Sequence, residues 1–220
     1  MRQIKLSEKI LPAFHPFWLA CNDEKYLYKV LKGGRNSAKS THISERIIVD
    51  MMRHPVNALV IRKVGTTLRG GDEPQKIKSI KTSKYPISIL WVEELPEFKT
   101  EEEIDVIVNS ILRAKLPKGL KYSIFFSYNP PKRKQNWVNK KYNTKFIPEN
   151  TYVHHSDYRD NPYCSEAFLQ EVENVRKANK HKYDWIYLGK PIGGGVVPFD
   201  NLTFRPITDA EIARFDNIRQ

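Results

Sequence analysis

Eight consecutive residues, Gly33-Gly34-Arg35-Asn36-Ser37-Ala38-Lys39-Ser40, place small side chains, a lysine and a hydroxyl in an order suited to phosphate chemistry. Small residues let backbone N–H groups curl around phosphate oxygens, and a helix starting at the end of the loop adds its positive pole. In such a loop Gly33, Gly34, Asn36, Ser37 and Ala38 form the cradle. Lys39 reaches the β- and γ-phosphates of a nucleoside triphosphate such as ATP, and Ser40 ligates Mg2+. Ala38 stands where a second glycine is usual, and alanine permits the same close approach if its φ is negative. Arg35 lies inside the loop, where it either folds back onto the γ-phosphate to stabilise transition-state charge or faces solvent.

Glu93 and Glu94 follow the apolar run Leu90-Trp91-Val92. The carboxyl end of a buried strand is where a parallel sheet presents catalytic groups. There Glu93 would hold the water shell of Mg2+, and Glu94 would orient or deprotonate an attacking water. The alternative is an acidic helix cap. Ser127-Tyr128-Asn129-Pro130 ends another apolar run, so a serine or asparagine can touch the γ-phosphate position there, unless Asn-Pro is a plain turn. Two basic clusters suit contact with a phosphate backbone. One is Lys76, Lys78, Lys81 and Lys84; the other is Lys132, Arg133, Lys134, Lys140 and Lys141, with Trp137 and Tyr142 interleaved. Either is equally readable as a solvated face. His154-His155 has no convincing metal partner and reads as structural.

These residues need elements to hold them. Tyr26 to Leu31 is aromatic and β-branched, as a strand should be. A helical pattern opens at Ser40 and Thr41, with Ile43, Ile47, Ile48 or Val49, and Met51 or Met52 at helical spacing, and Pro55 stops it. Ala58 to Arg62 reads as a second buried strand, which completes a strand, loop, helix, strand unit. Ile87 to Val92 reads as an interior strand of a parallel sheet. Thr100 opens a helix with Ile104, Ile107, Val108 and Ile111 on one face. Tyr122 to Phe126 and Thr151 to His155 read as further strands, and Asn161-Pro162 leads into a helix from about Ser165 to Lys180. Gly193-Gly194-Gly195 starts a linker-like tail.

Composition sets the limits. The chain has 220 residues, 40% of them hydrophobic, enough for the core of one ordinary domain. Its formal net charge of +12 favours a polyanionic partner. Two cysteines, Cys21 and Cys164, lie far apart, so neither a disulfide framework nor a zinc site is expected. No run approaches the roughly 20 apolar residues of a membrane helix, so no membrane partner is expected.

With these motifs in order, the sequence resembles the large subunit of tailed-phage DNA-packaging terminases, in the branch found in phages and prophages of Gram-positive bacteria. GGRNSAKS resembles that family's Walker A loop, including its arginine, and LWVEELPEF its Walker B strand with a Glu-Glu pair. FFSYNPP resembles its coupling motif, and GGDEPQKIKSIK a segment just ahead of Walker B. The resemblance implies an α/β P-loop NTPase of the additional-strand, catalytic-glutamate type, with a central, mostly parallel sheet flanked by helices. It implies an ATPase working as a homo-oligomeric ring on double-stranded DNA, with a small terminase subunit and the portal protein of the procapsid, in the cytoplasm of the bacterial host. By position, Lys39 and Ser40 match phosphate and Mg2+ binding, Arg35 the in-loop arginine, Glu93 and Glu94 the Walker B acids, and Asn129 the coupling site. Phe14 and Phe17 fall where the family contacts adenine.

Two departures shape the expected domain organisation. Several dozen family residues are missing between Arg69 and Gly70, and the chain stops about where an RNase H-like nuclease begins. Residues 1–192 are therefore expected to be the ATPase domain and 193–220 a linker, with no complete nuclease site. A decayed or split prophage gene would explain both. Two alternatives stay open: another P-loop ATPase acting on nucleic acid, and an inactive remnant that binds DNA or a partner subunit without hydrolysing ATP.

Overall fold

The computed structural model describes residues 5–63, 84–193 and 208–209. The junction at Arg69 and Gly70, the segment 70–81 with Lys76, Lys78 and Lys81, and nearly all of the tail lie outside the described residues.

Five strands form one all-parallel sheet: β1 (Tyr28–Gly33), β2 (Asn57–Arg62), β3 (Ile87–Glu93), β4 (Ser123–Tyr128) and β5 (Thr151–Ser156). Their order across the sheet is β2-β3-β4-β1-β5. β4 is thus the additional strand, inserted between the loop-bearing β1 and the acid-bearing β3, and the expected fold class holds.

Alternation along the strands builds two cores. Val30, Leu90, Val92, Ile124, Phe126 and Tyr128 face one way. They pack with Ile104, Ile107, Val108 and Ile111 of α3 (Glu101–Leu112) and with Val138 and Tyr142 of α4 (Trp137–Tyr142). Leu31, Ile89, Trp91 and Phe125 face the other way, against Phe17, Trp18 and Cys21 of α1 (His15–Asn22) and Ile43 and Ile47 of α2 (Lys39–Arg53). Helices on both faces are what an all-parallel sheet requires.

α2 ends as the sequence reading expects. His54 takes the extended conformation imposed on a residue before proline, at φ −134° and ψ 144°. Its apolar stripe is narrower than expected, because Ile43 and Ile47 are buried while Ile48 and Met52 face outward. The expected helix from about Ser165 to Lys180 is α5 (Glu166–Ala178), and a further helix, α6 (Lys180–Ile186), follows it. Asn179 breaks the run at φ −155° and caps the second helix, its side chain accepting from the Lys182 N–H at 2.9 Å. Val172, Val175, Tyr183, Tyr187 and Leu188 join these helices in a small core of their own.

Candidate functional site

The carboxyl ends of neighbouring strands bring the chemistry together. The strand register sets Arg62 beside Glu93, Glu93 beside Ser127, and Gly33 beside Ser156. Above these ends lies a cleft of about 290 Å³ walled by Arg35 to Thr41, Glu93, Glu94, Ser127, Tyr128, Asn129 and Asn161.

Lys39 opens α2 and is buried under the loop. Its ammonium donates to the Gly34 carbonyl at 2.8 Å, to Ser37 Oγ at 2.8 Å and to Asn129 Oδ1 at 3.1 Å. Burial pulls its pKa down to about 8, against the opposing charge of Glu94. Because a helix leaves its first N–H groups without intrahelical partners, the start of α2 offers donors beside that ammonium.

Gly33 and Gly34 are not in the cleft wall. They permit contact behind it: a Cβ on Gly33 would lie 1.8 Å from the Ser156 carbonyl oxygen, and one on Gly34 would lie 1.8 Å from that of Tyr187. The two following N–H groups already have protein acceptors, with Gly34 N–H donating to Ser156 O at 3.1 Å and Arg35 N–H to Ile186 O at 2.9 Å. Ala38 does not meet the condition of a negative φ. It sits in the left-handed region at φ 61° and ψ 12°, the conformation that explains why glycine is usual here.

On the other wall, Ser40 Oγ donates to Glu93 Oε1 at 3.3 Å. Glu94 follows in a left-handed conformation, at φ 50° and ψ 53°. Burial raises the pKa of its carboxyl, opposed by the charges of Arg62 and Lys39. A carboxylate with raised basicity beside a buried lysine is suited to accept a proton from water. Both polar groups at the end of β4, Ser127 and Asn129, line the cleft, and they differ in their partners. Asn129 reaches Lys39, whereas the Ser127 hydroxyl is buried and accepts from Trp91 Nε1 at 2.9 Å.

Arg35 is exposed on the rim of the cleft, and its side chain makes no hydrogen bond or ion pair among the described residues. Phe14 and Phe17 correct another expectation. Both are fully buried in the α1–α2 core, Phe14 between His42 and His154, so neither is placed to meet a base in this conformation. Of the histidine pair, His154 is buried against Phe14 and His155 is exposed. In the second basic cluster Lys132, Arg133, Lys134 and Lys140 are exposed, but Lys141 pairs with Glu101. The interleaved aromatics point inward, Trp137 Nε1 donating to Phe98 O at 2.9 Å and Tyr142 packing in the core.

Two residues at the site escape a motif search. Asn161 lines the cleft and donates to the Asn36 carbonyl at 2.9 Å. Arg62 ends β2 and pairs with Glu97 at 3.3 Å, its charge also acting on Glu94. Only the position of Arg62 after an apolar run hinted at its place, and nothing local marked Asn161.

The donor set fits a nucleotide with Mg2+. A hydroxyl and a carboxylate oxygen, Ser40 and Glu93, suit a hard cation. Among the described residues no group of three or more His, Cys, Asp and Glu gathers to hold a metal alone. No described helix is long and apolar enough to cross a membrane.

Comparison with known proteins gives the family context. The model of the phage terminase large subunit family matches residues 25–70 and 67–190. The chain is 48% identical to the terminase large subunit of Bacillus phage SPP1 over 263 residues, a stretch covering all of this chain and 62% of that protein. It is 24% identical over 208 residues to the PBSX phage terminase large subunit of Bacillus subtilis (strain 168), covering 71% of this chain and 47% of that one. The chain thus spans about three fifths and about half of these relatives' lengths. In fold, it matches the large terminase of a thermophilic bacteriophage, solved in complex with ATP-gamma-S, with a TM-score of 0.53 at 16% identity. That match covers 84% of this chain and 52% of the other.

Proposed function

Because the chain belongs to the phage terminase large subunit family, we propose that it is an ATP-hydrolysing motor domain that drives double-stranded viral DNA into a procapsid. One observation carries this reading: Lys39, Ser40, Glu93, Glu94 and Asn129, drawn from three separate strand ends, meet in one cleft. The solution of the thermophilic-phage terminase with ATP-gamma-S supports nucleotide as its ligand.

In this reading the loop amides from Asn36 to Ser40 and the Lys39 ammonium hold the β- and γ-phosphates. Gly33 and Gly34 let the loop seat against its support. Ser40 and Glu93 hold Mg2+, which when bound neutralises phosphate charge. Glu94 takes a proton from the attacking water, the role its raised pKa favours. Arg35, free on the rim, turns onto the γ-phosphate. Asn129 links Lys39 to the end of β4 and so couples the phosphate state to the polypeptide beyond it. Exposed Lys132, Arg133, Lys134 and Lys140 meet the DNA backbone.

The partners are those of the family: a small terminase subunit, the portal and further copies of the chain in a ring, in the cytoplasm of the bacterial host. Residues 1–192 form the motor and 193–220 lead out of it. The stretch matched in the SPP1 relative is 263 residues long against 220 here, which supports an internal loss, and the break of the family match between 25–70 and 67–190 supports its place near Arg69 and Gly70.

Purified protein is expected to release phosphate from Mg-ATP in a DNA-stimulated manner, and Lys39→Ala or Glu94→Gln to lose at least about a hundredfold of that rate. Wild-type release no higher than that of either variant would sink the motor. If Mg-ATP still bound, the chain would be a nucleotide-binding remnant.

A further inference from the structure

We propose that Asn161 is a positioning residue that holds the apex of the phosphate loop in its receptive shape; this rests on the nucleotide-binding reading above. Gly34 and Arg35 have already given their N–H groups to Ser156 and Ile186 carbonyls. Donors for a phosphate must therefore come from further along the loop, beginning at its apex.

The apex is Asn36, in the left-handed region at φ 58°. Asparagine tolerates that conformation better than most residues, but does not lock it. The lock comes from 125 positions away in sequence. Asn161 Nδ2 donates to the Asn36 carbonyl at 2.9 Å and lies 3.5 Å from Asn36 Oδ1. The Asn36 carbonyl and the Ser37 N–H belong to one planar trans peptide unit and point in opposite directions. Holding the carbonyl therefore aims the Ser37 N–H, the first loop donor beyond the apex. Cys164 lies against the same residue: Asn36 Nδ2 donates to Cys164 Sγ at 3.3 Å, and the thiol stands 3.9 Å from the Asn36 carbonyl as a weaker second donor.

Asn161 is itself held. Its Oδ1 accepts the Tyr163 N–H at 3.1 Å, which turns Nδ2 toward the loop. Just upstream, the Asp157 side chain accepts the Arg159 N–H at 3.0 Å, and Asp160 Oδ2 accepts the Asp157 N–H at 2.8 Å. A turn braced in this way pays part of the entropy of ordering the loop before any ligand arrives. The amide donates to the loop and not to a reacting atom, so its loss acts on nucleotide affinity and leaves turnover at saturation intact.

Two readouts test this in the full chain. Cys21 is buried, so thiol alkylation of the native protein reports on Cys164 at the apex. In the absence of nucleotide, Asn161→Ala is expected to speed that alkylation several-fold. It should also weaken Mg-ATP binding about tenfold, the loss of one well-placed hydrogen bond, raising KM with kcat within twofold. Asn161→Gln, which keeps the donor, should recover part of both effects, with thermal unfolding confirming that each variant folds. Unchanged alkylation in Asn161→Ala would overturn the proposal, as would a fall in kcat at constant KM. Failure of the wild type to bind Mg-ATP would overturn nucleotide binding instead, and the alkylation rates would still report on the clamp.

Discussion

Ala38 and Glu94 both occupy a backbone region that costs most L-residues about 1–2 kcal/mol. For Glu94 the strain sits at the end of β3, where a tight turn presents a carboxylate to the cleft, and strain held at a working position is a recurrent feature of functional sites. For Ala38 a methyl group adds nothing to a phosphate cradle, and its partial packing against the α1–α2 core offsets only part of the strain. Ala38→Gly is therefore expected to raise stability by about 1 kcal/mol while leaving Mg-ATP affinity within twofold. Thermal unfolding and a nucleotide titration measure the two quantities. A lower melting temperature in the glycine variant would mean that the loop relies on the alanine methyl.

The element that most constrains the loop is α6. Its last carbonyl, Ile186 O, accepts the Arg35 N–H, and Trp185 Nε1 donates to Pro130 O at 2.9 Å, one residue past Asn129. A single short helix thus touches both the Gly33–Ser40 loop and the segment that carries Asn129. The turn after it, at Gly189, lies against the loop from behind at φ 64°. A Cβ there would meet the Gly33 carbonyl carbon at 2.4 Å and the Gly34 nitrogen at 2.6 Å. Backbone cannot yield as a flexible side chain can, so Gly189→Ala should destabilise by about 1–3 kcal/mol and weaken nucleotide binding with it. A variant with wild-type melting behaviour and affinity would show that the close approach is dispensable.

At the scale of the whole molecule, the two sheet faces differ in how they use polar groups. The α1–α2 core contains His42 and His154, both packed on Phe14 and both held to a pKa of about 4 by burial, each also facing neighbouring charge from a second histidine. In the unfolded chain each titrates near about 6.5. Protons therefore bind the unfolded state more readily between these values, so stability is full above about pH 6.5 and declines as pH falls toward about 4. Each full unit of displacement is worth about 1.4 kcal/mol. Opposing charges are present: Glu45 stands 3.2 Å from His42 Nδ1, and Asp160 acts on His154. The wild type should lose melting temperature more steeply from pH 7 to 5 than a His42→Gln, His154→Gln double variant. Parallel slopes would place the acid sensitivity elsewhere.

Sequence alone determined the local chemistry: the loop, the acidic pair, the strand, helix, strand context and the surplus of positive charge. These depend on residues close together in the chain, where spacing and propensity act directly. It also announced five strands in their order along the chain, because an all-parallel sheet demands long apolar runs alternating with amphipathic helices. Tertiary structure decided what depends on distant partners. It gave Asn129 rather than Ser127 to Lys39 as a partner, buried Phe14 and Phe17, turned Trp137 and Tyr142 inward, and added α6 after Asn179. It also set Ser156, Asn161, Ile186 and Gly189 behind the loop, all far along the chain from the groups they hold. Their contacts run largely through backbone atoms and a side-chain amide, groups that leave no pattern in a sequence until the fold brings them together.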